Sequence, residues 1–393
     1  MRIALITGSR SDWGLVEPML RAASERDDLT PLLIVIGSHM SARHGRSIDA
    51  IRAAGWRPAA CVDACETDDS PAAMTRITGR LIAGLADTLD EMAPDWVVVT
   101  GDRFDAFAAA TAATTLAIPL AHVAGGETDL FTNYDGNLRN AMTKLAALHF
   151  VAHDTARERV LSMGEEEWRV HTVGLPSLDG LASRCAPAKD LVANRLVPRG
   201  ADGVTPAAFV LGSYFPVTMQ LGQSRRLLNV WLSALGRIEN RHKLIVASNA
   251  DCGADECEGR IRDWAAGRSD TTIAVSLDAP LYLSALKHCD CYVGNSSSGV
   301  IETPVFGTPA VMVGTRQEGR PRAANAVRLL EPSVETLAAA IAEQIDHGRF
   351  DDVVSPFGDG RASQRICDSL LELRERPDLM LKRLVSPVPE AVA

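Results

Sequence analysis

Charged and polar side chains follow four predicted strands in the first half of the chain, at the point where each strand ends. The four segments begin at Gly8, Gly37, Gly101 and Gly125. Carboxylates in a closed site can take up and return protons when burial or a like charge raises their pKa, and arginines can neutralise an anion. The sequence therefore predicts one site lined by Arg10, His39, Asp102, Arg103, Glu127 and Asp135.

A second polar stretch, Gly294 to Glu302, follows a strand-like run that ends in Tyr292-Val293. A strand that ends in small hydroxyl residues and opens a helix presents backbone N–H groups to a phosphate. Glu302 lies a turn into that helix, where a carboxylate could bridge a ribose diol. Arg316 and Arg320 could bond to a diphosphate. The serine run alone is equally consistent with the N-cap of a structural helix, but the arginines favour anion binding.

Strands and helices alternate along the chain and must position these residues. Strands are predicted at residues 3–7, 32–36, 96–100, 120–123, 149–152, 170–173, 208–211, 244–247, 273–275, 291–293 and 310–313. Helical periodicity lies between them, at 72–92, 106–116, 225–239, 334–347 and 360–376. This alternation predicts parallel, doubly wound sheets, which bind ligands beyond the carboxyl ends of their strands.

The length of 393 residues exceeds what a single hydrophobic core usually holds. A polar stretch with Pro187, Pro198, Gly200 and Gly203 is typical of a linker. We therefore expect two Rossmann-like domains that face each other across a cleft, at 1–183 and 184–360. Residues 361–393 are expected to form a helix and tail that pack back on the first domain.

Composition excludes several other classes of protein. The net charge of −10 argues against a nucleic-acid surface, and the apolar runs have the length of strands rather than of membrane helices. Met1 leads directly into a strand, so we expect a cytoplasmic protein. The eight cysteines lack zinc spacing. Neither a dinucleotide fingerprint nor a P-loop appears, and no metal or cofactor is expected.

Taken together, the motifs resemble those of the hydrolysing UDP-N-acetylglucosamine 2-epimerases, and most closely their branch in sialic-acid-type nonulosonate synthesis. The resemblance runs from Met1 to about Asn325. It rests on the segments that begin at Gly8, Gly101, Ala121, Arg139, Asn249, Gly294 and Gly314. It implies the glycosyltransferase-B architecture, which agrees with two facing domains, and a homo-oligomer, either dimer or tetramer.

The resemblance also implies a mechanism. UDP leaves by elimination across C1–C2 of the sugar, and water then adds to give the free 2-epimeric sugar. Asp102, Glu127 and Asp135 would be the carboxylates at the sugar, with Arg103 as a further contact. Arg10 would neutralise the diphosphate. By the same resemblance, UDP would be bound by Asn249, Ser296, Ser297, Ser298, Gly299, Glu302 and Arg316.

Three family histidines are replaced here, by Phe215, Ala124 and Asn140. The loop between Glu127 and Arg139 is also one residue longer than usual. Tolerated drift or an alignment slip would leave a hydrolysing 2-epimerase. Altered chemistry would instead give a UDP-sugar-dependent glycosyltransferase or a nucleotide-sugar hydrolase that does not epimerise, and a non-catalytic nucleotide-sugar-binding homologue is a further alternative.

Overall fold

The computed structural model describes residues 1–41, 46–64, 66, 70–128, 135–217, 220–246, 254–274 and 277–385. These residues divide into two compact units. The first comprises 1–128, 135–179 and 357–385, and the second comprises 180–356. The chain thus passes from the first unit to the second and back.

The first unit is built on a seven-stranded parallel sheet with helices on both faces. Its strands are β1 (Arg2–Thr7), β2 (Thr30–Ile36), β3 (Ala60–Val62), β4 (Trp96–Thr100), β5 (Leu120–Val123), β6 (Leu148–Val151) and β7 (Val170–Thr172). The helices are α1 (Arg10–Ser24), α2 (Ile48–Ala53), α3 (Pro71–Met92), α4 (Phe104–Thr115), α5 (Asp135–Leu145), α6 (Asp154–Ser162) and, after the second unit, α13 (Ala362–Leu373). The strand order is β3-β2-β1-β4-β5-β6-β7.

Both faces of this sheet are buried, as the nearly continuous apolar strands require. In β1, Ile3 and Leu5 pack into one hydrophobic cluster, whereas Ala4 and Ile6 pack into the cluster on the opposite face. The C-terminal helix α13 completes the first of these clusters and packs against α1. Trp96 donates its indole N–H to the Leu370 carbonyl oxygen over 3.2 Å, which ties α13 to the central strand β4.

The second unit contains a six-stranded parallel sheet, in the order β10-β9-β8-β11-β12-β13. Its strands are β8 (Phe209–Ser213), β9 (His242–Val246), β10 (Thr271–Ala274), β11 (Cys291–Gly294), β12 (Ala310–Val313) and β13 (Ala326–Leu329). The helices are α7 (Ala188–Ala193), α8 (Leu221–Leu235), α9 (Ala254–Ala265), α10 (Ala279–His288), α11 (Ser298–Ile301) and α12 (Val334–His347).

Local sequence signals set several helix ends. The side chain of Ser70 caps α3 by accepting the N–H of Ala73, with proline at the first helical position. Asp278 caps α10 in the same way. Gly348, with a φ of 72°, follows the end of α12. The predicted fold class, two parallel α/β sheets, is confirmed. Two short strands, β3 and β13, were not predicted.

Candidate active site

The polar segments of the first unit lie at the switch point of its sheet. β1 is hydrogen-bonded to β2 on one side and to β4 on the other, so the chain connections leave β1 and β4 in opposite directions. Gly8 follows β1 and Gly101 follows β4. Open parallel sheets bind their ligands in the crevice at such a point. The segments that carry Arg10 and Asp102 are therefore neighbours at the edge where a ligand is expected.

Arg139 on α5 joins two of the predicted catalytic residues. Its Nη2 donates to Oδ2 of Asp102, and its Nη1 donates to the carbonyl oxygen of Glu127 over 2.9 Å. Arg139 is only 4% exposed, so solvent screens its ion pair with Asp102 weakly. The arginine thereby fixes the carboxylate of Asp102 and the loop of Glu127 relative to one helix.

The imidazole of His122 holds the loop that carries Asp102. Its Nε2 lies 2.9 Å from the carbonyl oxygen of Gly101, and its Nδ1 lies 3.1 Å from Oγ1 of Thr143 on α5. A carbonyl oxygen only accepts, so Nε2 carries the proton and Nδ1 accepts from the threonine hydroxyl. Burial lowers the pKa of His122 to about 3. His122 is therefore neutral at physiological pH and positions the loop.

Two buried carboxylates that the sequence did not single out lie beneath the loop after β1. Asp12 accepts the N–H of Gly8 over 3.3 Å, and Asp105 accepts from Nε of Arg103 over 3.4 Å. Burial, followed by the negative charge of Asp105, raises the pKa of Asp12 to about 7. A Cβ atom at Gly8 would stand 2.5 Å from the Asp105 carboxylate, so only glycine allows this close approach.

Asp135 lies within electrostatic reach of the same cluster. It is the first residue of α5. The negative charge of Asp105, and with it the smaller effects of Asp12 and Asp135, raises the pKa of Arg103. Asp135 is therefore close enough to Arg103 for their charges to interact.

Arg10 and His39 differ sharply in accessibility. Arg10 is exposed on the first turn of α1. His39 is fully buried, with Nε2 2.8 Å from Oγ1 of Thr7 and Nδ1 2.8 Å from Oγ of Ser47. Burial lowers the pKa of His39 to about 4. Because both ring nitrogens are engaged, the geometry gives no support to the prediction that His39 binds substrate.

The second unit repeats the switch-point arrangement, with Phe215 after β8 and Asn295 after the adjacent strand β11. The side chain of Asn295 accepts the N–H of Phe215 and donates to its carbonyl oxygen, each over 2.7 Å. Arg316, beyond β12, donates to the Asn295 carbonyl oxygen over 3.2 Å, and its guanidinium carbon lies 4.9 Å from the centroid of the Phe215 ring. Arg316 is thus held by a backbone carbonyl and an aromatic face.

The serine run forms a turn with only a short helix behind it. Ser296 donates its N–H to the Tyr292 hydroxyl over 3.2 Å, and Ser298 donates its N–H to Oγ of Ser296 over 3.4 Å. Helix α11 spans only four residues. The N–H groups of Ser296 and Ser298 are thus used within the turn, and the helix behind the turn is too short for a large dipole. Gly299 has a packing role, since a Cβ there would stand 2.3 Å from Sδ of Met312.

Glu302 presents a buried carboxylate oxygen at the end of this turn. Burial raises the pKa of Glu302. Its Oε2 has no hydrogen-bond partner among the residues that the structure describes. A buried acceptor without a partner is costly, and a hydroxyl group of a ligand would satisfy it.

Asn249, the remaining predicted site residue, lies outside the described residues. In the described part of the chain, no group of three or more His, Cys, Asp and Glu side chains could hold a metal ion.

Comparison with known protein families identifies the family to which this chain belongs. A family model described as UDP-N-acetylglucosamine 2-epimerase matches residues 21–371. The chain belongs to this family. It is 28% identical over 372 residues to UDP-N,N'-diacetylbacillosamine 2-epimerase (hydrolyzing) of Legionella pneumophila, covering 94% of this chain and 95% of the relative. It is 29% identical over 364 residues to UDP-N-acetylglucosamine 2-epimerase of Neisseria meningitidis serogroup B, covering 92% of each.

A solved structure of the epimerase family has the same fold. The crystal structure of UDP-GlcNAc 2-epimerase from Neisseria meningitidis bound to UDP-GlcNAc matches this chain with a TM-score of 0.74 and a sequence identity of 16%. The match covers 95% of this chain and 100% of that one. The resemblance to the epimerases is thus confirmed at the level of family and fold, and the chain is an enzyme of that family.

The branch of the epimerase family and the three replaced histidines stay predictions. At those positions, Phe215 is partly buried, Ala124 is buried with a φ of 63°, and Asn140 is exposed on α5.

None of the described helices combines the length and the apolar character needed to cross a membrane.

Several side chains near the candidate site receive no role from the sequence because their contacts depend on distant partners. They are Asp12, Asp105, His122, Arg139 and His153. The available signal was position, since Asp12 and Asp105 lie in segments that directly follow β1 and β4, and His153 directly follows β6.

Proposed function

We propose that the chain is a hydrolysing 2-epimerase of UDP-N-acetylglucosamine or a related UDP-N-acetylhexosamine. The observation that carries the proposal is the contact of Arg139 with both Asp102 and the loop of Glu127 at the switch point of the first sheet. It fixes two carboxylate-bearing segments where a sugar would bind. A relative whose name includes "hydrolyzing" supports the same reaction.

The proposed reaction has two stages. A carboxylate removes the C2 proton, the C1–C2 double bond forms, and UDP leaves with the electrons of the C1–O bond. Water then adds across the double bond, with hydroxyl at C1 and a proton at C2 on the opposite face. We assign the proton transfers to Asp102, Glu127 and Asp135, which are the carboxylates of the predicted sugar site.

UDP would be bound by residues of the second unit. The buried Oε2 of Glu302 would accept from a ribose hydroxyl, and Arg316 would bond to the diphosphate. Ser296, Ser297 and Ser298 would add hydroxyl contacts, with Gly299 shaping the turn. Arg10 would stabilise the charge on the departing diphosphate, and Arg103 would contact the substrate. The reaction as proposed uses neither a metal nor a cofactor.

We further propose that the substrate belongs to nonulosonate synthesis of the sialic-acid type. The Legionella relative is named for UDP-N,N'-diacetylbacillosamine, in which the sugar differs from N-acetylglucosamine. Both nucleotide sugars therefore belong in a test of activity.

A second candidate is a UDP-sugar hydrolase that does not epimerise. It is favoured by the ion pair between Asp102 and Arg139, because Oδ2 of the Asp102 carboxylate already accepts a hydrogen bond from the guanidinium. The packing of Phe215 on Arg316 adds to this, since a phenyl ring can neither donate nor accept a proton at the diphosphate.

Incubation with each UDP-sugar in heavy water, followed by NMR, separates the candidates. The 2-epimerase releases UDP and a free sugar of inverted configuration that carries deuterium at C2. The hydrolase releases UDP and a sugar that keeps both its C2 hydrogen and its configuration. UDP release only when an acceptor alcohol is added would indicate a glycosyltransferase, and UDP binding without turnover of either substrate would contradict the proposal.

A further inference from the structure

His153 occupies the N-cap position of α6, immediately after β6. Its backbone is extended, and its Nδ1 accepts the N–H of Ala156 over 3.1 Å. N-cap positions are usually occupied by serine, threonine, aspartate or asparagine, whose oxygens accept this bond. Because Nδ1 accepts a hydrogen bond, the neutral imidazole carries its proton on Nε2.

Nε2 of His153 is in contact with the carboxylate of Glu127, without the alignment of a regular hydrogen bond. Nε2 lies 2.9 Å from Oε1 of Glu127, and the two side chains are 4% and 10% exposed. The imidazole also packs edge-on against Phe357, with ring centroids 5.4 Å apart. The helix cap and the phenyl ring together fix the direction in which Nε2 points.

The loop that carries Glu127 packs closely against the start of α6. Gly126 has a φ of 73°, and a Cβ there would stand 2.3 Å from the carbonyl oxygen of Ala156. Arg159, one turn into α6, donates to the Gly126 carbonyl oxygen over 3.0 Å. Only glycine allows this approach, and the approach brings Glu127 within reach of His153.

We propose that His153 is a positioning residue for Glu127, and that its fixed imidazole sets the direction of the Glu127 carboxylate through the contact of Nε2 with Oε1. The inference rests on the proposed function, which makes Glu127 a reacting carboxylate. His153 does not relay a proton, because its second nitrogen is occupied by the N–H of Ala156.

The charges around this pair come from three elements. Arg139 on α5 bonds to the Glu127 carbonyl oxygen and to Asp102 after β4, and Arg159 on α6 bonds to Gly126. A substitution at His153 leaves these residues in place. The effect of losing the imidazole is therefore separable from that of the arginines.

The test uses His153→Thr, which keeps an oxygen at the N-cap and removes the imidazole. We expect kcat to fall about 10- to 100-fold, because the Glu127 carboxylate loses the polar atom that it contacts, with KM changed less than about threefold. His171→Thr, on β7 of the same unit, is the matched control and is expected to keep wild-type kcat.

A double-mutant cycle with Glu127→Gln separates positioning from a purely structural role. If His153 acts through Glu127, His153→Thr causes no further loss in the Glu127→Gln background. Additive losses would show that His153 only caps α6, which overturns the inference. Wild-type kcat in His153→Thr beside an impaired Glu127→Gln overturns it as well but leaves the proposed function intact. Wild-type activity of Glu127→Gln would overturn the assignment on which both depend.

A measurement on the resting protein is independent of activity. Nitrogen-15 NMR of the imidazole is expected to show His153 protonated at Nε2, with a resonance that shifts in Glu127→Gln. Protonation at Nδ1, or an unchanged resonance in Glu127→Gln, would overturn the inference whatever the substrate proves to be.

Discussion

The two units hold their polar side chains by different means. In the first unit, charged groups are fixed by other charged groups, as in Asp102 with Arg139 and Arg103 with Asp105. In the second unit, the Asn295 side chain hydrogen-bonds to the backbone of Phe215, and the Arg316 guanidinium packs on the Phe215 ring. Both sites lie at the switch point of a parallel sheet, so the difference comes from the side chains rather than from the topology.

The contrast is consistent with the two tasks that we propose for the units. Proton transfer requires titratable groups whose charge and direction are set before the substrate arrives. Binding a diphosphate requires a cation that is held in place but still has hydrogen-bonding capacity for the ligand. Buried charge networks suit the first task, and a cation on an aromatic face suits the second. Substitutions in the first unit should therefore alter the chemistry, and those in the second should alter UDP binding.

The largest effect is expected for Asp102→Asn. The amide cannot accept a proton, and it leaves the buried Arg139 without its counter-charge. We expect kcat to fall by about 10²- to 10⁴-fold, the typical contribution of acid–base catalysis, with UDP affinity within about threefold of wild type. Steady-state kinetics and calorimetric titration with UDP measure the two effects. Asp87→Asn, at an exposed position on α3, is the control. A loss of UDP affinity as large as the loss of kcat would contradict the assignment of the chemistry to the first unit and of UDP binding to the second.

Asp12→Asn is expected to change the dependence of stability on pH. The folded protein holds the Asp12 proton up to about pH 7, whereas the unfolded chain releases it near the ordinary pKa of 3.8. Because the folded state binds the extra proton, the stability of the wild type falls as pH rises from about 4 to about 7, and then levels off. The asparagine lacks this decline, so we expect it to be more stable than wild type at pH 8 by about 2–4 kcal/mol.

Urea unfolding of both proteins at pH 5 and pH 8 tests the Asp12 prediction. The stability difference between variant and wild type is expected to be larger at pH 8. An equal difference at the two pH values would mean that Asp12 is ionised throughout this range in the folded protein. In that case Asp12 would not be a titratable group whose charge is set by its surroundings, which is the property that distinguishes the first unit.

In the second unit, Arg316→Ala is expected to weaken UDP binding by about 10- to 100-fold, because a charge-assisted hydrogen bond to the diphosphate is lost. Calorimetric titration measures the affinity. Arg322→Ala provides the matched control, since Arg322 is an exposed arginine six residues further along the chain. Undiminished UDP affinity in Arg316→Ala would place the diphosphate elsewhere.

The smallest effect is expected for Phe215→Leu. Leucine keeps an apolar side chain and the backbone hydrogen bond to Asn295, but it removes the aromatic face that contacts Arg316. A cation–π contact contributes about 0.5–1 kcal/mol at a partly exposed site, so we expect UDP affinity to fall about two- to fivefold. Tighter binding in the variant would show that the ring restrains Arg316 in an unfavourable position.

The strands and the order of the polar segments were predictable because they depend on local patterns. Buried parallel strands are apolar along their whole length, and the residues directly after them must lie at one edge of the sheet. β4, β5 and β12 have the predicted bounds, as has helix α12. β3 and β13 were missed because β3 is only three residues long and β13 is mostly half-buried and contains Arg328.

The contacts within the candidate site were less predictable because they join residues far apart in sequence. Asp102 and Arg139 are 37 positions apart, and no local pattern indicates that they form an ion pair. The same holds for the environment of Asp12, whose pKa is raised first by burial and then by the charge of Asp105. For His39, the position after a strand predicts a ligand contact, whereas the partners of its ring nitrogens in the structure are Thr7 and Ser47.

The return of the chain to its first unit has a consequence for the order of folding. Ile366, Leu370 and Leu379 belong to the hydrophobic cluster that also contains Ile3 and Trp96. During synthesis, residues 1–179 leave the ribosome with one face of their sheet still lacking α13, and residues 180–356 follow before that helix is made. The later-made second unit is continuous in sequence and can therefore complete its core first. Nascent chains that end before Leu370 would expose apolar surface of the kind that chaperones bind.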